Sequence, residues 1–90
     1  MTHNGWSSYA TWAVEVHLSQ DPATYTHVLG LVAEQGQDRD RVADSLRSYV
    51  TGEYLPDLGA TLEADLLGQA LHEVDWHELA DAWLESVEAA

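Results

Sequence analysis

TLEADLLGQALHEVDWHELADAWLESVEAA, residues 61–90, holds two helical periods and the break between them. Leu62, Leu66, Leu67, Ala70 and Leu71 recur at the three- and four-residue spacing of one wide apolar face, the pattern of a central helix that begins near Thr61. Asp75-Trp76-His77-Glu78 then reads as a capping box, with Asp75 as cap and Glu78 three residues on. Trp76, Leu79, Ala80, Trp83, Leu84 and Val87 resume the helical period to the end of the chain.

The same logic extends towards the N-terminus. Glu53 to Gly59 contains Pro56 and reads as a connector. Before it, Asp38 caps a helix that turns Val42, Leu46, Tyr49 and Val50 inward and ends at Gly52. Asp21-Pro22 starts another, with Tyr25, Val28, Leu29 and Val32 on one face and a stop near Gly36. Ser8 caps the first helix, which runs to about Leu18 with Tyr9, Trp12, Ala13 and Val16 as its buried face. The alternation of Val14, Val16 and Leu18 also fits a strand; length favours the helix. The expected fold is all-α, a compact bundle of about five short helices in one domain spanning residues 1–90. Its expected core is Trp12, Val16, Leu29, Leu46, Leu66, Leu71, Leu79 and Trp83.

Charge narrows the functional classes. The 90 residues carry 16 Asp+Glu against 3 Lys+Arg, a formal net charge of -13. The cations are Arg39, Arg41 and Arg47, and from Thr51 onward there are ten acids and no Lys or Arg. Direct binding to nucleic-acid phosphates needs a basic face, so that class is excluded, and anionic membrane surfaces with it. No stretch is apolar for long enough to span a bilayer, and MTHNGWSSYA lacks the basic and apolar regions of a signal peptide. With no Cys, disulfides, thiolate nucleophiles and Cys-ligated metals are all absent. A binding partner, if there is one, is expected to be basic.

Two segments carry a resemblance. NGWSSYATWAVEVHLSQD, with Asn4, Gly5, Trp6, Tyr9, Thr11 and Trp12, resembles the opening of a family of small acidic proteins of phages, plasmids and archaeal or actinobacterial genomes. ADLLGQALHEVDWHELADAWL is similar to that family's tail motif, and RVADSLRSYV to its middle segment. Many relatives have a charged residue where this chain has Ala10. The resemblance implies an origin in a mobile element; it implies no catalytic residue.

Among the acids, Glu78, Asp81, Glu85 and Glu88 form a row at i, i+3, i+7 and i+10. At about 100° per residue they occupy an arc of about 80°, and the row is about 15 Å long. A helix needing only solubility usually mixes Lys into such a row. Uncompensated carboxylates in this arrangement fit a surface that imitates nucleic-acid phosphates, and replacing Glu78, Asp81 and Glu85 by Lys is expected to leave the fold intact. The competing explanations are salt adaptation, which raises acid content everywhere, and an ordinary solvated face.

Other chemistries find little support. His72 and His77, beside Glu73, Asp75 and Glu78, lack the His-Glu-x-x-His spacing that puts two imidazoles on one helical face, and no metal site is expected. His3, His17 and His27 read as isolated surface or edge residues. No Gly-rich phosphate loop, Cys nucleophile or serine elbow is present, so neither catalytic residues nor a cofactor are expected. Glu63 reads as a helix N-terminal acid satisfied by free N–H groups. Trp12, Trp76 and Trp83 read as core, and Trp6 either staples the N-terminus to the bundle or serves as an interface anchor.

The resulting expectation is a non-enzymatic inhibitor from a mobile element, acting in the host cytoplasm. As an acidic nucleic-acid mimic it would occupy the basic DNA- or RNA-binding site of a host defence protein: a CRISPR effector, a nuclease or a restriction enzyme. Its contact residues would be Glu73, Asp75, Glu78, Asp81, Glu85 and Glu88, extended by Asp57, Glu63 and Asp65. The alternative is an acidic structural or interaction module, self-associating as a homodimer, whose charge reflects salt adaptation.

Overall fold

The computed structural model describes residues 5–89; Asn4 of the first motif and His3 lie outside that range. The chain is all-α, and no strand occurs among the described residues. Among the described residues five α-helices follow in order: α1 (Tyr9–Gln20), α2 (Pro22–Ala33), α3 (Arg39–Tyr49), α4 (Leu62–His72) and α5 (Trp76–Ala89). A single π-helical turn, Val50–Tyr54, extends α3 and is closed by the Leu55 N–H donating to the Val50 carbonyl at 3.0 Å.

Local chemistry sets the helix starts. Ser8 Oγ accepts the Thr11 N–H, Asp21 accepts the Thr24 N–H, Asp38 accepts those of Asp40 and Arg41, and Thr61 accepts that of Ala64. Each bond satisfies an N–H group that has no partner within its own helix. At Asp21 the Thr24 N–H, helped by the Thr24 hydroxyl, holds the carboxyl below its usual range. Between α2 and α3 the chain reverses through Gly36 and Gln37, both in the left-handed region, with φ of 63° and 66°. Gly36 takes that conformation without the Cβ clash that Gln37 must accommodate.

The core is shared by α1, α2, α3 and α5. The largest interface is α3 against α5, followed by α2 against α5. Val28 and Val32 of α2, Val42, Ala43 and Leu46 of α3, and Leu79, Ala80 and Trp83 of α5 are buried. Leu29, Leu71, Trp76, Leu84 and Val87 pack against them half-buried. Trp6 does so as well, so it staples the N-terminal segment to the bundle.

Two helices depart from the sequence expectation. In α1 the buried residues are Thr11 and Leu18, with Ala10 and Val14 packed against the core. This row lies nearly opposite the expected face: Tyr9 is 61% exposed, and Trp12, Ala13 and Val16 are half-buried outside the core cluster. Trp12 instead lies against Tyr9, with ring centroids 5.4 Å apart. Apolar side chains surround α1, so periodicity alone does not choose its inner side.

The second departure is α4, which is peripheral rather than central. None of its residues is buried, and Leu62 and Leu66 are 68% and 62% exposed. Its leucines span an arc of about 180°, too wide to face one neighbour. Leu71 turns to the core, while Leu62 and Leu66 turn away from it.

Candidate partner-binding surface

The two Trp motifs, 64 or more residues apart in sequence, meet in space. The Ser7 hydroxyl donates to Glu78 Oε1 at 2.7 Å, and the Ser7 N–H points at both carboxylate oxygens at 3.2 Å. The Ser8 hydroxyl donates to the Glu73 carbonyl at 2.9 Å. Its only proton is thereby committed, so the Thr11 hydroxyl, 2.8 Å away, must donate to Ser8 Oγ. Thr11 Oγ1 in turn accepts the Asp75 N–H at 2.9 Å. Thr11 is 0% exposed, and this chain leaves its hydroxyl fully satisfied. The clasp fixes the α4–α5 junction to the start of α1.

This clasp redistributes the expected capping box. Asp75 does cap α5, accepting the Glu78 N–H at 3.0 Å. The Glu78 carboxylate, however, reaches Ser7, and the Asp75 N–H is taken by Thr11. The reciprocal half of the box is replaced by tertiary bonds.

The row on α5 is accordingly not uniform. Glu78 is held in the clasp, and Asp81 accepts from Arg39 Nε at 2.7 Å. Arg39 is pushed above its usual pKa first by that bond, then by the charges of Asp81, Asp40 and Asp75. His77 Nε2 lies 2.9 Å from Asp40, a second exposed link between α3 and α5. Glu85 and Glu88 remain exposed and have no such partner among the described residues. Substituting Lys at Glu78, Asp81 and Glu85 together would therefore break the clasp and the Arg39 pair, contrary to the expectation that the fold is indifferent to it.

Elsewhere, Asp57 accepts the Gly59 N–H at 3.0 Å and shapes the connector before α4. Glu63, Asp65 and Glu73 are exposed on α4 or at its C-terminal cap. The carboxylates proposed from sequence thus divide into two sets. Asp57, Asp75, Glu78 and Asp81 hold the fold's own N–H, hydroxyl or guanidinium groups, whereas Glu63, Asp65, Glu73, Glu85 and Glu88 are left to solvent. Among the described residues no three His, Asp or Glu side chains converge as a metal site would require.

One acid was missed by sequence reasoning. Glu15 is half-buried on the inner side of α1, where burial pushes its carboxyl above the usual value and contact with the Trp83 indole lowers it partway back. The contact falls short of full hydrogen-bond geometry, leaving Glu15 Oε1 and Trp83 Nε1 without a standard partner among the described residues. Only its place in the Thr11–Val14–Leu18 row, itself obscured by the apolar residues around α1, would have signalled it.

Alongside the acids lies an apolar cleft of about 520 Å³ between α1, the π-turn and α4. Ala10, Ala13 and Val14 form one wall, Leu67, Ala70 and Leu71 the other, and Leu18, Val50 and Val74 the floor. Glu73 and His17 line it too, together with Tyr9 and Tyr54. Leu71 also lines two further hollows, one towards Arg47 and Trp76 and one under the Pro56 connector, so α4 is undercut on several sides. No helix among the described residues is long and apolar enough to cross a membrane. No family model, curated protein or solved structure matches the chain.

Proposed function

We propose that the protein is a non-enzymatic inhibitor that works as an acidic nucleic-acid mimic, occupying the basic DNA- or RNA-binding site of a host defence protein such as a CRISPR effector, nuclease or restriction enzyme. The observation that carries this reading is the set of solvent-facing carboxylates left over once the fold's own bonds are made: Glu63, Asp65, Glu73, Glu85 and Glu88, in a half of the chain with no Lys or Arg. Carboxylates so placed give a negative potential that a cationic channel neutralises. A mobile-element origin, and action in the host cytoplasm, rest on the resemblance of the two Trp motifs alone.

The test is competition. Titrated against a candidate nuclease or CRISPR effector on labelled duplex, the protein should displace DNA, and the effect should fade as ionic strength shortens the screening length to below about 8 Å. The variant Glu63→Gln/Asp65→Asn/Glu85→Gln/Glu88→Gln should lose the competition. Equal potency of the variant and the wild type would sink the proposal.

Salt adaptation is the second reading. It is favoured by Glu34, Asp40 and Asp44, which are exposed around α2 and α3, so the acids are not confined to one region. On that reading the protein needs about molar salt to fold and the four neutral substitutions relieve that need.

A further inference from the structure

We infer that the cleft between α1, the π-turn and α4 is a docking groove for a basic amphipathic helix of a partner protein. The inference rests on the reading above that the partner is cationic, and adds where an apolar anchor would sit and what its flanks must carry.

The α4 wall continues beyond the cleft. Helical geometry carries Leu67 and Ala70 round through Leu66 to Leu62 over an arc of about 140°. Leu62 and Leu66 are both mostly exposed, so the apolar strip is open to solvent along the outer flank. Across from it, Ala10 and Ala13 present small side chains, which lets a third helix approach the α1 backbone closely. A groove of about 520 Å³ is of the size that takes several anchoring side chains. Helix-in-groove recognition uses such a site by inserting residues spaced i, i+3 or i+4, and i+7.

Charge selects the occupant. Glu63, Leu66 and Ala70 on α4 and Glu73 at its C-terminal cap fall at i, i+3, i+7 and i+10, so one carboxylate brackets each end of the apolar strip, about 15 Å apart. Glu73 lines the cleft itself. No Lys or Arg follows Arg47 to balance them. A second copy of this chain would bring the same carboxylates and the same net charge of -13 against them. A helix with Leu, Met or Phe on one face and Lys or Arg beside it meets both features at once.

Calorimetric titration of the whole protein with a synthetic probe tests this. The probe is a roughly 18-residue peptide of Leu and Lys whose leucines share one helical face, and the control has the same composition permuted so that they do not. The patterned peptide should bind at least about tenfold more tightly than the permuted one. Leu62→Ser/Leu66→Ser should weaken it about tenfold, as should Ala13→Leu, which fills the cleft from the opposite wall, with helical circular dichroism retained in each. Glu63→Gln/Glu73→Gln should flatten its salt dependence. Equal, salt-sensitive binding of both peptides overturns the groove while leaving the basic-partner reading intact. Undiminished binding by all three variants overturns it as well, as does light scattering that finds a dimer dispersed by Leu62→Ser/Leu66→Ser. Loss of DNA competition by Asp65→Asn/Glu85→Gln/Glu88→Gln, which keeps both carboxylates that bracket the groove, is measured separately and reports on the proposed function and not on the groove.

Discussion

Thr11 is the buried polar residue about which the N-terminal half and the α4–α5 junction are joined. Its hydroxyl has one proton and accepts one, and both are used. Thr11→Val keeps the shape but strands the Asp75 N–H, so it should cost about 1–3 kcal/mol, or about 4–8 °C in Tm per kcal/mol, by thermal melting. Nothing in the sequence marks Thr11 for this role, since its partner is 64 residues away. Glu15 is a different case. Its raised pKa means the native state holds a proton more firmly than the unfolded chain. Stability therefore falls as pH rises from the ordinary glutamate value through the native one, and the ionised carboxylate is penalised above it. Glu15→Gln should raise Tm at about pH 7.5, with the gain shrinking towards about pH 3, where both states are protonated. The amide oxygen of the variant can still face the Trp83 indole. A gain that is independent of pH would show that packing, not charge, is responsible.

At the scale of elements, helix starts were legible and helix faces only partly so. Ser8, Asp21, Asp38, Thr61 and Asp75 each act on an N–H two or three residues away, so the sequence contains all the chemistry involved. The inner faces of α2, α3 and α5 were also readable, because each has one apolar side. In α1 and α4 apolar residues spread round the helix, and the choice of side fell to distant partners: the clasp for α1, and for α4 a core already closed by its neighbours. Among the candidate site residues the same limit applies. Sequence places Glu78 and Asp81 in the acidic row, but not the Ser7 and Arg39 groups that occupy them. The difference between leucines is measurable by urea denaturation. Leu46→Ala, at a fully buried site, should cost about 2–5 kcal/mol, whereas Leu66→Ala on α4 should stay within about 0.5 kcal/mol. A large loss at Leu66 would mean that α4 is integral to the bundle after all.

For the whole molecule, the decisive question is what its surplus charge costs. A net charge of -13 on 90 residues opposes compaction, and among the described residues the exposed carboxylates of α4 and the end of α5 form no ion pair. Screening should relieve this, so Tm should rise as salt increases from about 0.01 M to about 0.15 M, where the screening length falls from about 30 Å to about 8 Å. The rise should be smaller in the variant with neutral residues at Glu63, Asp65, Glu85 and Glu88, because fewer repulsions remain to be screened. Glu78→Ala should behave differently: it removes the hydrogen bonds to Ser7 and should lower Tm at every salt concentration, by the equivalent of about 1 kcal/mol. If that pattern is found, the two sets of acids are physically distinct, one that closes the fold and one held against its own repulsion. Repulsion kept in a fold that is stable in dilute buffer needs a use outside the fold, and a cationic partner supplies it. A native protein that unfolds in dilute buffer and recovers only near about molar salt would instead assign the whole surplus to the solvent it works in, and the mimic reading would fall.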